Sequence, residues 1–313
     1  MDYSLYKLDF KTPLHIGRDA GGPSLDNGQM AIHADTIFSA LCCEAAGDAR
    51  LERLVDHLRN GVLAFSDALP YAGDELYLPK PVIYIANRRR EGDAGLKKRL
   101  KDIEYIPLSG FEDYLQNLAG SCMDIDSLSV TFGQLTTVTR VAIKGNDAPL
   151  PYHVASWRFT DGCGLYVVIG YTDEQALSLV EDLLIRLGLS GIGGKRSSGW
   201  GKYETSRAPV PGALLARLKD ESATYQMLMG TALPAEEEME ELLRQGWYTV
   251  VRRGGFIRSE TYAPGQLKKK TMYMLGPGSC LRRRFRGGLH DLSDNGGHPV
   301  WRSANSLFVG VKI

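Results

Sequence analysis

The sequence GIGGKRSSGWGKY at residues 191–203 is the most informative segment of the chain. Its thirteen positions hold five glycines, three cationic side chains, two serines and one tryptophan. Glycine adopts backbone angles that other residues avoid, so such a segment can bring its backbone close to a ligand. Backbone N–H groups combined with cationic side chains suit phosphate groups. The segment therefore predicts a loop that binds an anion.

The loop does not match the nucleotide-binding P-loop, which requires G-x-x-x-x-G-K-[ST] directly after a strand. Arg196 follows Gly194 and Lys195, and Leu189 occupies the position of the first glycine. The segment also follows a predicted helix and not a strand. The sequence thus favours a nucleic-acid backbone as the ligand. A glycine-rich turn that only closes the fold is the structural alternative.

The elements around this loop predict its place in the fold. A buried strand is predicted at 162–171 and a helix at 172–188, where Ala176, Leu179, Val180 and Leu183 share one face. Thr172 and Gln175 form a capping box, and Gly188 is the expected residue after the helix. A last strand begins at Tyr203, so the glycine-rich loop at 188–202 joins the helix to that strand.

The first half of the chain shows the element order β-α-β-β-α-β of ferredoxin-like and RRM-like folds. Its earlier elements are a strand at 3–10, a helix capped by Asp35 or His33, a helix at 51–61 and two short strands within 65–81. An insertion at about 85–160 separates them from the buried strand. The fold class is α+β, with a first domain at 1–206. After Pro209 and Pro211, a second and more degenerate ferredoxin-like domain is predicted at 207–313, with helical pieces at 214–229 and 234–245 and strands within 247–257, 271–278 and 306–313.

Residues 130–158 predict a long two-stranded arm, with Lys144 to Asp147 supplying the turn. A two-stranded ribbon cannot bury a core of its own. Because Val138, Val141 and Ile143 are apolar, we expect the arm to pack on a partner, on a nucleic acid or on its own domain.

Composition narrows the class of protein. The chain has 313 residues, of which 43% are hydrophobic, and 37 cationic side chains balance 37 acidic ones. The six histidines show no metal-ligand spacing, and the five cysteines contain no C-x-x-C pair. No apolar run approaches the roughly eighteen residues of a membrane span. The sequence predicts a cytoplasmic protein with no membrane contact, no metal and no cofactor. Basic runs lie at 88–90, 97–101, 195–196, 252–253, 268–270 and 282–284.

Three residues could act in catalysis or in binding a nucleic-acid base, but each could instead have a purely structural role. His15, just past the first strand, could act as a general base, although a lone histidine is more often structural. Asp35 could be a nuclease carboxylate, but its position before Thr36 favours helix capping. Trp200 could stack on a base or form part of the core.

Taken together, these motifs resemble the repeat-associated mysterious proteins (RAMPs) of CRISPR systems. More narrowly, the chain resembles the fourth Csm subunit of type III-A effector complexes. The matching segments occur in the order of that family: TPLHIG at 12–17, HADTIFSAL at 33–41, FSDALPY to LYLPKP at 65–81, TRVAIK at 139–144, the glycine-rich loop, and GPGSCL at 276–281.

The resemblance implies a non-catalytic subunit that binds the 5′ repeat-derived tag of the CRISPR RNA (crRNA). It also implies contacts with the large polymerase/HD-nuclease subunit and with the adjacent backbone RAMP, and a thumb formed by the arm, with Val138, Val141 and Ile143 facing a partner. The RNA-binding residues that it implies are His15, Gly17, Arg18, Arg140, Lys144, Gly191, Ile192, Gly193, Gly194, Lys195, Arg196, Ser197, Ser198, Gly199 and Trp200. The basic segments at 88–101 and 282–286 receive no role.

Two RAMP nucleases are the alternatives. An endoribonuclease that cuts precursor crRNA would place the glycine-rich loop near the C-terminus, whereas 110 residues follow Tyr203 here. A backbone RAMP that cleaves target RNA would require a free, RNA-facing aspartate at Asp35 or Asp19.

Overall fold

The structure, a computed structural model, describes residues 1–18, 25–83, 101–118, 128, 130–143, 148–259, 261–265, 267–294 and 296–312. Lys144 and the rest of the predicted turn lie outside the described residues, as do Asp19 and most of the basic segment at 88–101.

The first half is built on one antiparallel sheet. Its strands are β1 (Asp2–Phe10), β2 (Leu63–Phe65), β3 (Leu69–Ala72), β4 (Glu75–Pro79), β5 (Tyr105–Pro107), β8 (Cys163–Tyr171) and β9 (Tyr203–Ala208). They are ordered β5-β4-β3-β8-β1-β9, and β2 also pairs with β8. The central order β9-β1-β8-β3 is the one that a βαββαβ unit produces when both helices cross the same face.

Both faces of this sheet are covered. Alternate residues of β8 point to opposite sides, so Val167 and Ile169 join one core while Tyr166 and Val168 join another. The first core lies under three helices, α1 (Ala34–Glu44), α2 (Arg50–Arg59) and α4 (Glu174–Ser190). The second core includes residues from the C-terminal half, such as Met227 and Val309. Burial on both faces explains why β8 reads as one continuous apolar run.

The C-terminal half has smaller sheets. Strands β10 (Tyr225–Leu228), β13 (Cys280–Leu281) and β16 (Phe308–Val311) form a three-stranded sheet in the order β13-β10-β16. Two ribbons pair β11 (Val250–Arg253) with β12 (Met272–Leu275) and β14 (Leu289–Asp291) with β15 (Trp301–Ser303). The remaining helices are α3 (Phe111–Leu118), α5 (Gly212–Lys219) and α6 (Glu236–Arg244). The mixed α/β class with antiparallel sheets is therefore as expected, and the domain boundary at 206/207 stays a prediction.

Three local predictions are wrong. The helix predicted at 214–229 ends at Lys219, and Tyr225–Leu228 is the central strand β10, held by pairing with β13 and β16. Helix α4 is capped by Asp173, whose carboxylate accepts the N–H of Gln175, and not by Thr172. Gly188 lies inside that helix, which ends at Ser190, and the residue that follows it is Gly191 with φ of 86°.

The arm predicted at 130–158 consists of β6 (Gly133–Ala142) and β7 (Leu150–Phe159), paired in register over their whole length. Its base packs on the first half, because Val154 and Ala155 are buried and Trp157 exchanges two backbone hydrogen bonds of 2.8 Å with Leu14. Its outer part carries exposed apolar side chains at Val141, Ile143 and Leu150. Packing on its own domain thus accounts for the base of the arm but not for its end.

None of the helices in the described ranges is both long and apolar enough to cross a membrane.

Candidate nucleic-acid interface

The glycine-rich loop has a conformation that only its glycines allow. Gly191, Gly193, Gly199 and Gly201 all have φ between 73° and 86°. A Cβ atom on Gly201 would lie 1.9 Å from the carbonyl oxygen of Ile192, and one on Gly193 would lie 2.5 Å from that of His15. The loop therefore lies directly against the segment that follows β1.

Most backbone N–H groups of the loop are used within the protein, which differs from the open backbone suggested by the glycines. Gly194 donates to His15 O at 2.8 Å, Gly201 donates to Pro13 O at 2.8 Å, and Ile192 donates to Gly201 O at 2.9 Å. These bonds hold the loop on the end of the first sheet. Their number shows that the glycines serve mainly to fit the loop against its neighbours.

In the described part of the chain, four N–H groups of the loop have no acceptor: that of Gly193 lies apart, and the other three are consecutive at the tip. Among the residues that the structure describes, the N–H groups of Lys195, Arg196 and Ser197 have no acceptor. Lys195 is left-handed, with φ of 61°, and a short 3-10 turn follows at Arg196–Ser198. A left-handed residue beside a right-handed turn directs successive N–H groups into one concavity that suits an anion. We call residues 195–197 the loop nest.

Side chains of the arm hold the loop from the other side. Arg140 and Tyr152 are cross-strand partners on β6 and β7. The Arg140 guanidinium lies 4.9 Å from the centre of the Trp200 ring and donates to Ser198 Oγ at 2.8 Å. The Lys195 ammonium lies 4.6 Å from the centre of the Tyr152 ring and donates to its hydroxyl at 3.2 Å. The arm and the loop thus form one surface.

Trp200 is only 8% exposed, so its indole packs within the protein under Arg140 instead of presenting a face to a base. Ile192, which is 2% exposed, belongs to the core below the loop. Both residues are implied RNA ligands, and the structure gives each a packing role. Ser197 and Ser198, by contrast, are exposed at the tip.

Arg196 has an acidic partner. Its guanidinium pairs with Glu44 Oε1 at 2.5 Å and also donates to Ser190 Oγ at 2.7 Å, with both charged side chains largely buried. The pair ties the loop to the end of α1. The sequence placed Arg196 among the RNA ligands, whereas the structure neutralises its charge within the protein.

His15 is buried beneath Gly194, whose added Cβ would lie 2.5 Å from the ring. Its Nδ1 lies 2.8 Å from Ala155 O, and because a carbonyl only accepts, Nδ1 carries the proton. Burial lowers the pKa of His15, and the nearby Lys195 charge adds to that effect. His15 is therefore a neutral link between the arm and the loop. Gly17 and Arg18 follow it at the surface, where Arg18 lies 3.9 Å from Glu104.

Asp35 does not cap α1, contrary to the prediction from its position. Its carboxylate is buried and pairs with Arg253 Nη2 at 3.0 Å and with Arg302 Nη1 at 3.0 Å. Burial alone would raise the pKa of Asp35, but the two guanidinium charges outweigh burial and lower it. The N-cap residue is His33, the other predicted candidate, and the carboxylate of Asp67 accepts the N–H of Ala34 at 2.8 Å.

Sequence reasoning missed the partners of these groups because they are distant in the chain. Arg253 and Arg302 come from the C-terminal half, and Asp67 also accepts the N–H of Thr231 at 3.0 Å. His33 lies 2.6 Å from Asp67 Oδ2. These contacts join the start of α1 to the C-terminal half. Across the described part of the chain, no group of three or more His, Cys, Asp or Glu side chains has the arrangement of a metal site.

Comparison with known proteins identifies a family model and several sequences that are similar to this chain. Residues 221–311 match the family model of the CRISPR Csm4 C-terminal domain. The chain is 32% identical over 312 residues to the CRISPR system Cms protein Csm4 of Mycobacterium tuberculosis strain H37Rv, covering 99% of this chain and 98% of the relative. It is 28% identical over 320 residues to the Csm4 protein of Streptococcus thermophilus, covering the whole of both chains.

Solved structures show the same fold. The chain matches a crystal structure of the Csm3-Csm4 subcomplex of a type III-A CRISPR-Cas interference complex with a TM-score of 0.68 and 16% identity, covering 99% of this chain and 100% of that one. It matches a Csm1-Csm4 cassette in complex with cA4 with a TM-score of 0.60 and 22% identity, covering 100% and 99%. The family model, the related sequences and the fold together define a RAMP-type CRISPR protein. Within that class, the chain belongs to the Csm4 family.

Proposed function

We propose that this chain is the non-catalytic RNA-binding subunit that caps the 5′ repeat-derived tag of the crRNA in a type III-A effector complex. It would bind the tag backbone at the loop nest and join the large polymerase/nuclease subunit to the adjacent backbone RAMP. Membership of the Csm4 family supports the general assignment, and the geometry of the loop supports the location of the RNA.

The observation that carries the proposal is the loop nest. Its three N–H groups have no acceptor in the described part of the chain. Lys195, the first residue of the nest, also contributes a cationic side chain. Most of the loop's other N–H groups are bonded internally, so three of the four free donors in the described loop are concentrated at its tip. Phosphate contacts of this kind position a strand without reading its sequence. The nest therefore suits an RNA backbone phosphate.

Two solved relatives support the partner assignment. One shows a Csm4 protein with Csm3, and the other shows a Csm4 protein with Csm1. By analogy, this chain would contact a large subunit and a backbone RAMP. We further propose that the two halves are ferredoxin-like domains and that the arm is a thumb. The exposed apolar side chains of Val141 and Ile143 would pack on a neighbouring subunit and separate the tag from the guide.

The environments of Asp35 and His15 support a non-catalytic role. A nuclease aspartate must be free to bind a metal or a proton, whereas Asp35 is held by two arginines below the surface. His15 is buried and uses Nδ1 to bond Ala155 O. Neither group has the exposure that the alternative endoribonuclease function requires.

The proposal can be tested by measuring how salt weakens binding of the chain to a single-stranded RNA with the tag sequence. Each neutralised phosphate contributes about 0.7 to the slope of log K against log salt concentration. Lys195→Asn removes the charge while keeping a residue that tolerates the left-handed conformation. We expect this variant to reduce the magnitude of the slope by about 0.7.

The matched control is Lys219→Asn, which removes the same charge from an exposed position in α5. It should leave the slope unchanged. Equal slopes for the wild type and Lys195→Asn would remove the loop nest from the RNA interface. Cleavage of the RNA by the purified chain in the presence of Mg²⁺ would contradict the non-catalytic assignment.

A further inference from the structure

The basic run at 282–286 divides into side chains with internal roles and one at the edge of a cleft. Arg283 pairs with Glu238 at 2.8 Å and with Glu241 at 3.3 Å, both on α6. Arg284 donates to Leu218 O at 2.8 Å and to Gln226 Oε1 at 2.6 Å. These two arginines hold neighbouring elements of the C-terminal half together. Arg282 is placed differently.

The Arg282 guanidinium lies over the Tyr225 ring, 4.2 Å from its centre, and has one weak hydrogen bond of 3.4 Å to Thr224 O. Tyr225 begins β10 and Arg282 directly follows β13, and the pairing of Gln226 with Leu281 brings the two side chains together. Trp247 bridges to Cys280 on the outer edge of β13. The same sheet edge therefore presents an arginine and two aromatic rings.

These side chains line a cleft of about 360 Å³, formed by Tyr225, Arg244, Gln245, Gly246, Trp247 and Arg282. The Trp247 side chain is 39% exposed, so part of its ring is accessible to a ligand. The cleft thus combines planar surfaces with cationic groups.

Arg244 provides the second cation of the cleft. It pairs with Glu240 at 2.5 Å, but the two side chains are 71% and 85% exposed. An ion pair this exposed contributes little stability, so its guanidinium can exchange the carboxylate for another anion. Aromatic rings and guanidinium planes are the surfaces on which nucleic-acid bases stack, and arginine binds phosphate strongly.

We propose that this cleft binds a nucleotide, with the base stacked on Trp247 or on the Arg282–Tyr225 pair and the phosphate near Arg244 and Arg282. The nucleotide can be a free mononucleotide or one unit of a single RNA strand, since both offer the same base and phosphate. The site is on the small sheet of the C-terminal half and involves no residue of the glycine-rich loop. This proposal is therefore independent of the function proposed above, and each can be tested without the other.

The test uses the full chain, with AMP, a hexanucleotide of adenosine, and ribose 5-phosphate as probes in titration calorimetry. Arg282→Gln should weaken binding of AMP and of the hexanucleotide about fivefold or more. The matched control Arg283→Gln removes the same charge from a side chain outside the cleft and should leave both affinities unchanged. AMP binding would identify a free nucleotide as a ligand, and binding of the hexanucleotide alone would identify an RNA strand; both support the proposal.

A second variant tests stacking. Trp247→Leu should weaken AMP binding about fivefold to a hundredfold and leave binding of ribose 5-phosphate, which has no base, unchanged. The control Tyr273→Leu replaces an exposed aromatic ring on β12 that does not line the cleft. Equal effects of Arg282→Gln and Arg283→Gln would overturn the proposal, and so would saturable binding of neither AMP nor the hexanucleotide. If Trp247→Leu left nucleotide binding intact but abolished assembly with a partner protein, the cleft would be a protein contact and the proposal would be wrong.

Discussion

Replacing Asp35 with asparagine should strongly destabilise the chain, because the carboxylate is the counter-charge of two buried guanidinium groups. The side chains of Asp35, Arg253 and Arg302 are only 2%, 10% and 4% exposed. The amide of Asp35→Asn can still accept hydrogen bonds but removes the buried negative charge that both guanidinium groups contact. Removing one partner of a buried ion pair typically costs about 3–5 kcal/mol. That is a large share of the 5–15 kcal/mol by which a typical domain is stable.

The assay is urea unfolding of the full chain, compared with Asp182→Asn as the control. Asp182 also has two arginine partners, Arg50 at 3.0 Å and Arg186 at 2.8 Å, but its side chain is 45% exposed. Exposed pairs contribute about 0–1 kcal/mol, so the control should change the free energy of unfolding little. Burial is then the variable that distinguishes the two substitutions.

The pH dependence provides a second check. Because the pKa of Asp35 is lowered in the folded protein, its contribution is fully present above the unfolded carboxyl pKa of about 3.9 and is lost as pH falls through the lower folded value. The difference between wild type and Asp35→Asn should therefore be constant from about pH 5 to pH 8. A loss of less than about 1 kcal/mol at pH 7, no larger than that of the control, would refute this account of the cluster.

Three further predictions concern the loop and the arm. Gly201→Ala should cost more than about 2 kcal/mol because its Cβ would meet Ile192 O, whereas Gly199→Ala, in open space, should cost only about 1 kcal/mol of backbone strain in thermal unfolding. The pKa of His15 is lower in the folded chain than in the unfolded chain, so acid protonates the unfolded chain first and destabilises the fold. His15→Gln removes this effect, so its melting temperature should fall less than that of the wild type between pH 7 and pH 5. In amide hydrogen exchange, the backbone amides of residues 154–157, at the base of the arm, should be protected in the free chain. Those of residues 141–143, at its end, should become protected only in the assembled complex.

The sequence predicted the elements whose signals are local. The apolar period of α4 and the glycines after it located the helix and the loop, although the cap is Asp173 and not Thr172 and the helix continues through Gly188 to Ser190. One capping position can be mistaken for the next because Thr and Asp both suit it. The family resemblance was also confirmed, since its motifs run in order along nearly the whole chain.

Contacts between distant residues could not be read from the sequence. Tyr225–Leu228 reads as part of a helix, but pairing with β13 and β16 makes it a strand. Asp35 reads as a cap because the arginines that bind it lie more than two hundred residues away. Arg196 reads as an RNA ligand because nothing local shows that Glu44 pairs with its guanidinium. Trp200 reads equally as an RNA ligand or a core residue, because nothing local shows that Arg140 covers its indole.

Chemical footprinting of the crRNA in a reconstituted effector complex tests the central claim most directly. With the wild-type chain, the backbone of the 5′ tag should be protected. With Lys195→Asn, protection should weaken at the tag and remain unchanged along the guide, while Lys219→Asn should match the wild type. Full protection of the tag with Lys195→Asn, or in a complex assembled without this chain, would contradict the assignment of the loop nest as the site that holds the 5′ tag.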